Sequence, residues 1–166
     1  MTVMAGVEPG DLVLDVGAGE GALTLPLVKA GAKVIAVELH PARAHFLRQR
    51  FANAPVKVVQ VDASDLRLPR RPFKVVSNPP FAVTTGLLRR LLSSGTRLRS
   101  AHLVLPAHVA SRWASGQAPG AGRWIKMFDV EVAEYIPPCE LRPPAPTRLA
   151  LLTIRRTAGL RYQAGF

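Results

Sequence analysis

Acidic residues are missing from the middle of this 166-residue chain: from Leu66 to Phe128 there is no Asp or Glu, against eleven Lys and Arg. The flanking segments are nearly balanced, so the formal net charge of +11 sits in that stretch. A field of one sign points to a polyanionic partner, nucleic acid first. Cysteine is nearly absent too. Cys139 alone excludes an internal disulfide framework and a cysteine zinc cluster, and reads as a free thiol. No apolar run approaches the roughly 18 residues of a membrane span, and residues 1–10 carry Glu8 but no cation, unlike a secretory signal. His40, His45, His102 and His108 lack ligand partners at metal-binding spacing. These absences predict a cytoplasmic protein with no membrane contact and no metal; the length predicts one domain over residues 1–166, and a monomer is expected. At 48% apolar and 20% charged residues, it has the composition of a chain with a core.

What is present alternates. Leu12 to Val16 is a short apolar run followed by Gly17, Gly19 and Gly21, then by apolar residues at helical spacing: strand, glycine turn, helix. Gly31 closes that helix, and Val34 to Val37 is a second strand. Pro41 suits a first helical position, opening a helix to Asn53. Val56 to Val61, Phe73 to Val76 and Ala101 to Leu105 read as strands three to five. Thr84 or Thr85 is placed to cap a helix to Leu92. Met127 to Ile136 and Leu149 to Ile154 read as the last two strands, and Ser115 to Gly122 as a mobile loop. Such alternation implies a parallel sheet covered on both faces, with ligands at the carboxyl ends of the strands.

The strand ends carry the candidate chemistry. Gly17, Gly19 and Gly21 suit either a dinucleotide or S-adenosylmethionine, since in both cases the backbone must come close to a ligand. Glu20 discriminates: its carboxylate would oppose a pyrophosphate but tolerates a sulfonium. Glu38, ending the second strand, is placed to accept from ribose hydroxyls. Asp62, ending the third, is placed to accept from an adenine amine. Asp15, Glu38 and Asp62 close three successive strands.

The sharpest motif is Asn78, Pro79, Pro80 and Phe81 after the fourth strand. Neither proline has an N–H, so the first carbonyls of the turn are free to face a ligand. The Asn78 side-chain oxygen and the Pro79 carbonyl can accept from a planar NH2 group while Phe81 stacks on the ring bearing it. Drawing both amine hydrogens aside restores a lone pair otherwise delocalised into the ring and aims it for in-line methyl transfer.

Residues Leu14 to Thr24, Val37-Glu38, Asp62-Ala63 and Ser77 to Phe81, with the tail from Leu141 through Pro143, Pro144 and Ala150 to Arg156, resemble the Erm-type ribosomal RNA adenine-N6 methyltransferases. The resemblance implies a Rossmann-like class I S-adenosylmethionine-dependent methyltransferase, with a mostly parallel seven-stranded sheet and helices on both faces. It implies transfer to N6 of an unpaired adenine of large-subunit rRNA, the modification behind macrolide, lincosamide and streptogramin B resistance. It further implies cofactor contacts from Asp15, Gly17, Gly19, Gly21, Glu38, Leu39, Asp62, Ala63 and Asn78, with catalysis by Asn78, Pro79 and Phe81. Ribosomal RNA is the expected partner, held by Arg89, Arg90, Arg97, Arg99 and Arg112. Family members usually have a Gln-Asn-Phe stretch before the first strand and a small helical carboxyl-terminal domain, both expected to be missing here. They also usually have Phe at Leu141 and Gln at Pro106.

Other readings use the same motifs: a small-subunit rRNA dimethyltransferase, a protein glutamine or DNA adenine methyltransferase, and a non-catalytic RNA-binding relative. The acid-free middle disfavours a protein substrate. Trp113 and Trp124 suit packing, with RNA stacking as the alternative.

Overall fold

The computed structural model describes residues 6–138 and 146–157, so Cys139, Leu141, Pro143 and Pro144 lie outside it. Seven strands form one sheet: β1 (Leu12–Val16), β2 (Lys33–Val37), β3 (Val56–Val59), β4 (Phe73–Ser77), β5 (Leu98–Pro106), β6 (Phe128–Ile136) and β7 (Leu149–Arg156). Their order is β3-β2-β1-β4-β5-β7-β6. The first five pair in parallel, while β7 runs antiparallel to both β5 and β6. This is the expected Rossmann-like, mostly parallel seven-stranded sheet.

The helices are α1 (Thr24–Lys29), α2 (Pro41–Arg50), α3 (Thr84–Leu91), α4 (Ala107–Ala114) and α5 (Ala121–Trp124). Strand alternation sends β1 side chains to two faces. Leu12, Leu14 and Val16 join a core with Leu87, Leu88 and Leu91 of α3, while Val13 packs with Leu27 of α1. Helix α1 ends in a Schellman motif: Ala32 N–H donates to the Leu27 carbonyl and Gly31 N–H to that of Val28, with Gly31 at φ +85°. Pro41 is the first residue of α2.

Three expectations change. Thr84 does not cap a helix; a 3-10 turn over Phe81–Val83 comes first, and the Thr84 hydroxyl donates to the Pro80 carbonyl at 3.2 Å. Helix α4 went unforeseen because its fully buried side chains are only Ala110 and Trp113, and alanines carry little periodic signal. The segment 115–122 carries structure where the sequence suggested an unstructured loop: Ala118 is buried, α5 begins at Ala121, and the flanking Trp113 and Trp124 pack at 5.7 Å between ring centroids. Both tryptophans are buried, so packing is their role.

Candidate active site

The five parallel strands point their carboxyl ends at one edge of the sheet, where the chain needs glycine. Gly17, Gly19 and Gly21 all have positive φ. Gly17 and Ala18 donate N–H bonds to the Val37 carbonyl at 2.8 and 3.0 Å, which lashes the glycine turn to the end of β2. A Cβ on Gly17 would fall 2.8 Å from Pro80 Cδ, so only glycine lets the Asn-Pro-Pro turn come this close. Gly21 is needed for packing instead: a Cβ there would lie 2.7 Å from the Phe51 ring. Gly19 faces open space, the place for a ligand to approach backbone.

Glu38 holds this loop. Its Oε2 accepts from Gly19 N–H at 2.8 Å and its Oε1 from His40 N–H at 2.9 Å, with the residue only 7% exposed. Each carboxylate oxygen has a further lone pair for another donor. The next residue, Leu39, leaves 60% of its surface exposed, an unusual position for a large apolar side chain and a fitting one beside a flat ring.

Asp15 is almost completely buried. One oxygen accepts from the Thr24 hydroxyl at 2.8 Å, while Oδ1 has no partner among the described residues. Burial pushes its pKa up to about 7, against the Thr24 hydrogen bond and helped by the charge of nearby Glu38. An orphaned buried acceptor costs about 1–3 kcal/mol, so the site calls for a donor. Asp62 is different: it accepts from the N–H and hydroxyl of Ser64 at 2.8 and 2.7 Å, which hold its carboxyl below the usual range.

Ser77, which the sequence shows at the head of the motif without a role, bridges two strands here. Its hydroxyl donates to the Val16 carbonyl at 2.6 Å and accepts from Val16 N–H at 3.2 Å. The register between β1 and β4 stops at Leu14 and Val75, so Ser77 continues by side chain a ladder the backbones have left. It thereby fixes where Asn78 leaves the sheet relative to Gly17. Asn78 is exposed, Pro79 is buried and Phe81 is 47% exposed. Among the described residues nothing donates to the Pro79 carbonyl, whereas the Pro80 carbonyl accepts from Val83 N–H and the Thr84 hydroxyl. The free acceptors expected at the turn are thus the Asn78 amide and the Pro79 carbonyl.

The structure gathers the glycines, Asp15, Glu38, Leu39, Asp62, Asn78, Pro79 and Phe81 at the carboxyl edge, but not the arginines. Arg97 precedes β5, Arg99 is its second residue and Arg89 stands in the last turn of α3, all towards the amino edge. Arg90 reaches back, donating to the Ala63 and Ser64 carbonyls at 3.3 and 2.9 Å and so steadying the loop that carries Asp62. Arg112 is exposed on α4, apart from the others. A cleft at the amino edge is lined by Lys33, Lys57, Arg67 and Arg71.

Comparison with known proteins finds relatives in sequence and in fold. The family model for ribosomal RNA adenine dimethylase matches residues 2–126. An rRNA adenine N-6-methyltransferase of Bacteroides fragilis is 34% identical over 157 residues, covering 92% of this chain and 59% of the relative. A ribosomal RNA small subunit methyltransferase A of Leifsonia xyli is 41% identical over 125 residues, 71% of this chain and 44% of the relative. The crystal structure of the 23S rRNA methyltransferase ErmE superposes with a TM-score of 0.81 at 26% identity, covering 94% of this chain and 65% of that one. This chain spans less than three-fifths of the length of the curated relatives it matches.

Proposed function

The chain belongs to the ribosomal RNA adenine dimethylase family, and from that premise we propose that it transfers a methyl group from S-adenosylmethionine to the exocyclic N6 amine of an unpaired adenine in rRNA, with large-subunit rRNA as the substrate. One observation carries the reading. Gly17 lies against Pro80 while Ser77 is bonded to Val16, so the glycine turn and the Asn78 acceptors form one rigid unit at the strand ends.

The residues present fit the cofactor. S-adenosylmethionine carries an ammonium and ribose hydroxyls, all donors, and the site is built of acceptors. Asp15 Oδ1 is buried without a partner, Glu38 has lone pairs to spare, and exposed Leu39 offers an apolar face to adenine. A pyrophosphate would instead meet the carboxyl side chains of Asp15, Glu20 and Glu38, while the Arg50 guanidinium beside the turn is engaged by the Glu20 carbonyl at 2.6 Å. When bound, S-adenosylmethionine supplies an electrophilic methyl group on a sulfonium.

The protein's part is to shape the nucleophile. An adenine amine in a stem cannot reach the sheet edge, so the base must be unpaired or flipped out, and Phe81 is the exposed ring available to stack on it. The Asn78 amide oxygen and the Pro79 carbonyl accept the two amine hydrogens and turn the lone pair out of the ring plane. Two prolines hold these acceptors before substrate arrives, so no reorganisation is needed at the moment of reaction. Once methylated, the nitrogen is positively charged and sheds a proton readily, so no strong base is required.

The likeness to the 23S rRNA methyltransferase ErmE supports large-subunit rRNA, while the 41% identity to the Leifsonia xyli small subunit methyltransferase keeps small-subunit rRNA as a second reading. Incubating the full chain with isotope-labelled cofactor and separate 23S and 16S transcripts, then mapping the modified base, decides between them. N6-methylated adenine in 23S rRNA is expected. Label only in 16S rRNA establishes the second reading, and methylglutamine or methylcytosine overturns both.

A further inference from the structure

We propose that the amino edge of the sheet is a second RNA-docking surface, gripping the phosphate backbone of the same rRNA at a distance from the adenine delivered to the carboxyl edge. The inference rests on the rRNA reading above and adds a place of contact to it.

Topology builds this surface. Parallel strands all begin at one edge, so the residues before β4 and β5 meet there: Arg70 and Arg71 ahead of β4, Arg97 and Arg99 at the start of β5. Helix α3 returns from the carboxyl edge and brings Arg89 in its last turn. The antiparallel strands contribute as well, since β6 begins opposite Arg156, the end of β7, just after α5 and Arg123. Three adjoining grooves run between these side chains. One includes Arg70, Arg89 and Arg97, the next Arg97, Arg99 and Arg156, and the third Arg89 and Arg123.

Apart from Arg99, which stands near enough to Asp11 to help lower its pKa, the groove cations have no carboxylate counterpart among the described residues. The ion pairs among the described residues are Lys74–Asp11 and Arg155–Glu131, and neither involves a groove-lining arginine. Arg156 is occupied structurally, donating to the Leu98 and Thr96 carbonyls at 2.8 Å each, and Arg97 is near enough to oppose its charge. The other guanidiniums lining the grooves make no hydrogen bonds to protein among the described residues, apart from Arg90 to the Ala63 and Ser64 carbonyls. Unpaired like charges held together repel, and an anion along the grooves removes that cost.

The lining points to phosphate rather than to a protein or a membrane. Guanidinium forks match phosphate oxygens, and Thr96, whose hydroxyl accepts from Leu98 N–H and keeps its own hydrogen, adds a donor of the kind used on nucleic-acid backbones. A protein or lipid partner would want apolar anchors. Yet none of the exposed large hydrophobic side chains, Leu39, Phe46, Phe81, Ile125 and Tyr135, lines these grooves. From Arg71 to Asn78 the chain is nearly all β4, which puts the edges roughly 23 Å apart at about 3.3 Å per residue. A minimal hairpin bearing the target adenine therefore engages the carboxyl edge alone, while a longer transcript reaches both.

The test is binding of the full chain to a 23S domain transcript across roughly 50 to 200 mM salt, the range over which phosphate contacts reveal themselves. Arg97→Gln with Arg99→Gln should flatten the log–log salt slope by about 1.4 to 1.8, or about 0.7 to 0.9 for each lost contact. The double variant should slow methyl transfer to the long transcript more than transfer to the short hairpin. Arg48→Gln, exposed on α2 and outside the grooves, should leave the slope alone. An unchanged slope in the double variant overturns the proposal. So does an equal change in Arg48→Gln, or displacement of RNA by polyglutamate or anionic vesicles as readily as by competitor RNA. If the slope flattens but no transcript is methylated, the docking surface stands and the methyltransferase reading fails. Methylation with an unmoved slope is the reverse.

Discussion

The two edges of this sheet, a strand's length apart, carry opposite charge. At the carboxyl edge stand Asp15, Glu38 and Asp62, and at the amino edge arginines line adjoining grooves with Asp11 nearby and already paired to Lys74. The acids suit a small ligand bearing positive charge and the arginines a polyanion. Both ligands are needed in one reaction, and keeping their binding groups apart stops each from attracting the other's partner. The lesson is that net charge is a poor guide to a site. The +11 of the whole molecule says nothing of the acidic pocket where the chemistry is proposed.

The comparison breaks most clearly at Asn78. Asn78→Ala should lower kcat by about 10²- to 10³-fold, the usual loss for one preorganised hydrogen-bonding group in a reacting site, with cofactor affinity nearly intact by calorimetry. Phe81→Ala comes next. Losing a base stack of roughly 1–3 kcal/mol slows transfer about 5- to 150-fold in single-turnover assays, and Phe81→Tyr, which keeps the ring, should retain most of the activity. Glu38→Ala should weaken cofactor binding by about 1–3 kcal/mol, since it removes acceptors for ligand and for Gly19 N–H together. Calorimetric titration with the demethylated cofactor checks it, and an unchanged affinity would detach Glu38 from the ligand.

Much of the carboxyl edge was legible in the sequence, because its demands fall on residue types that advertise themselves. Glycine at 17, 19 and 21 signals positive φ, and paired prolines after an apolar strand signal a rigid turn. The Ser77 bridge was not legible: a small hydroxyl residue at a strand end has no special signature until the strand beside it is known. Nor was the placement of Arg89, Arg97 and Arg99, since their run in the sequence shows a shared charge but not that helix α3 carries them away from the motif next to them. The fifth strand was read too short because Arg99 and Ser100 interrupt its apolar pattern.

The smallest expected effect concerns Asp15 and pH. Its folded pKa of about 7 lies above the unfolded value of 3.8, so between these values the folded chain keeps a proton that the unfolded chain has lost. The associated stability is full below pH 3.8 and lost as pH rises through 7. Thermal unfolding without cofactor should show wild type losing stability relative to Asp15→Asn over that window. His102, whose pKa burial lowers, acts in the opposite sense but equally in both proteins, so it cancels in the difference. A difference that does not vary with pH would mean that Asp15 ionises as an ordinary surface carboxyl.

Side-by-side methyl transfer to a 23S transcript by wild type and Asn78→Ala, at saturating cofactor and with the product digested to nucleosides, tests the central claim most directly. The account predicts N6-methylated adenosine from wild type and a loss of at least about a hundredfold in the variant, by the reasoning for a preorganised hydrogen-bonding group. Equal rates in the two proteins, or label on any nucleoside other than adenosine, would contradict it.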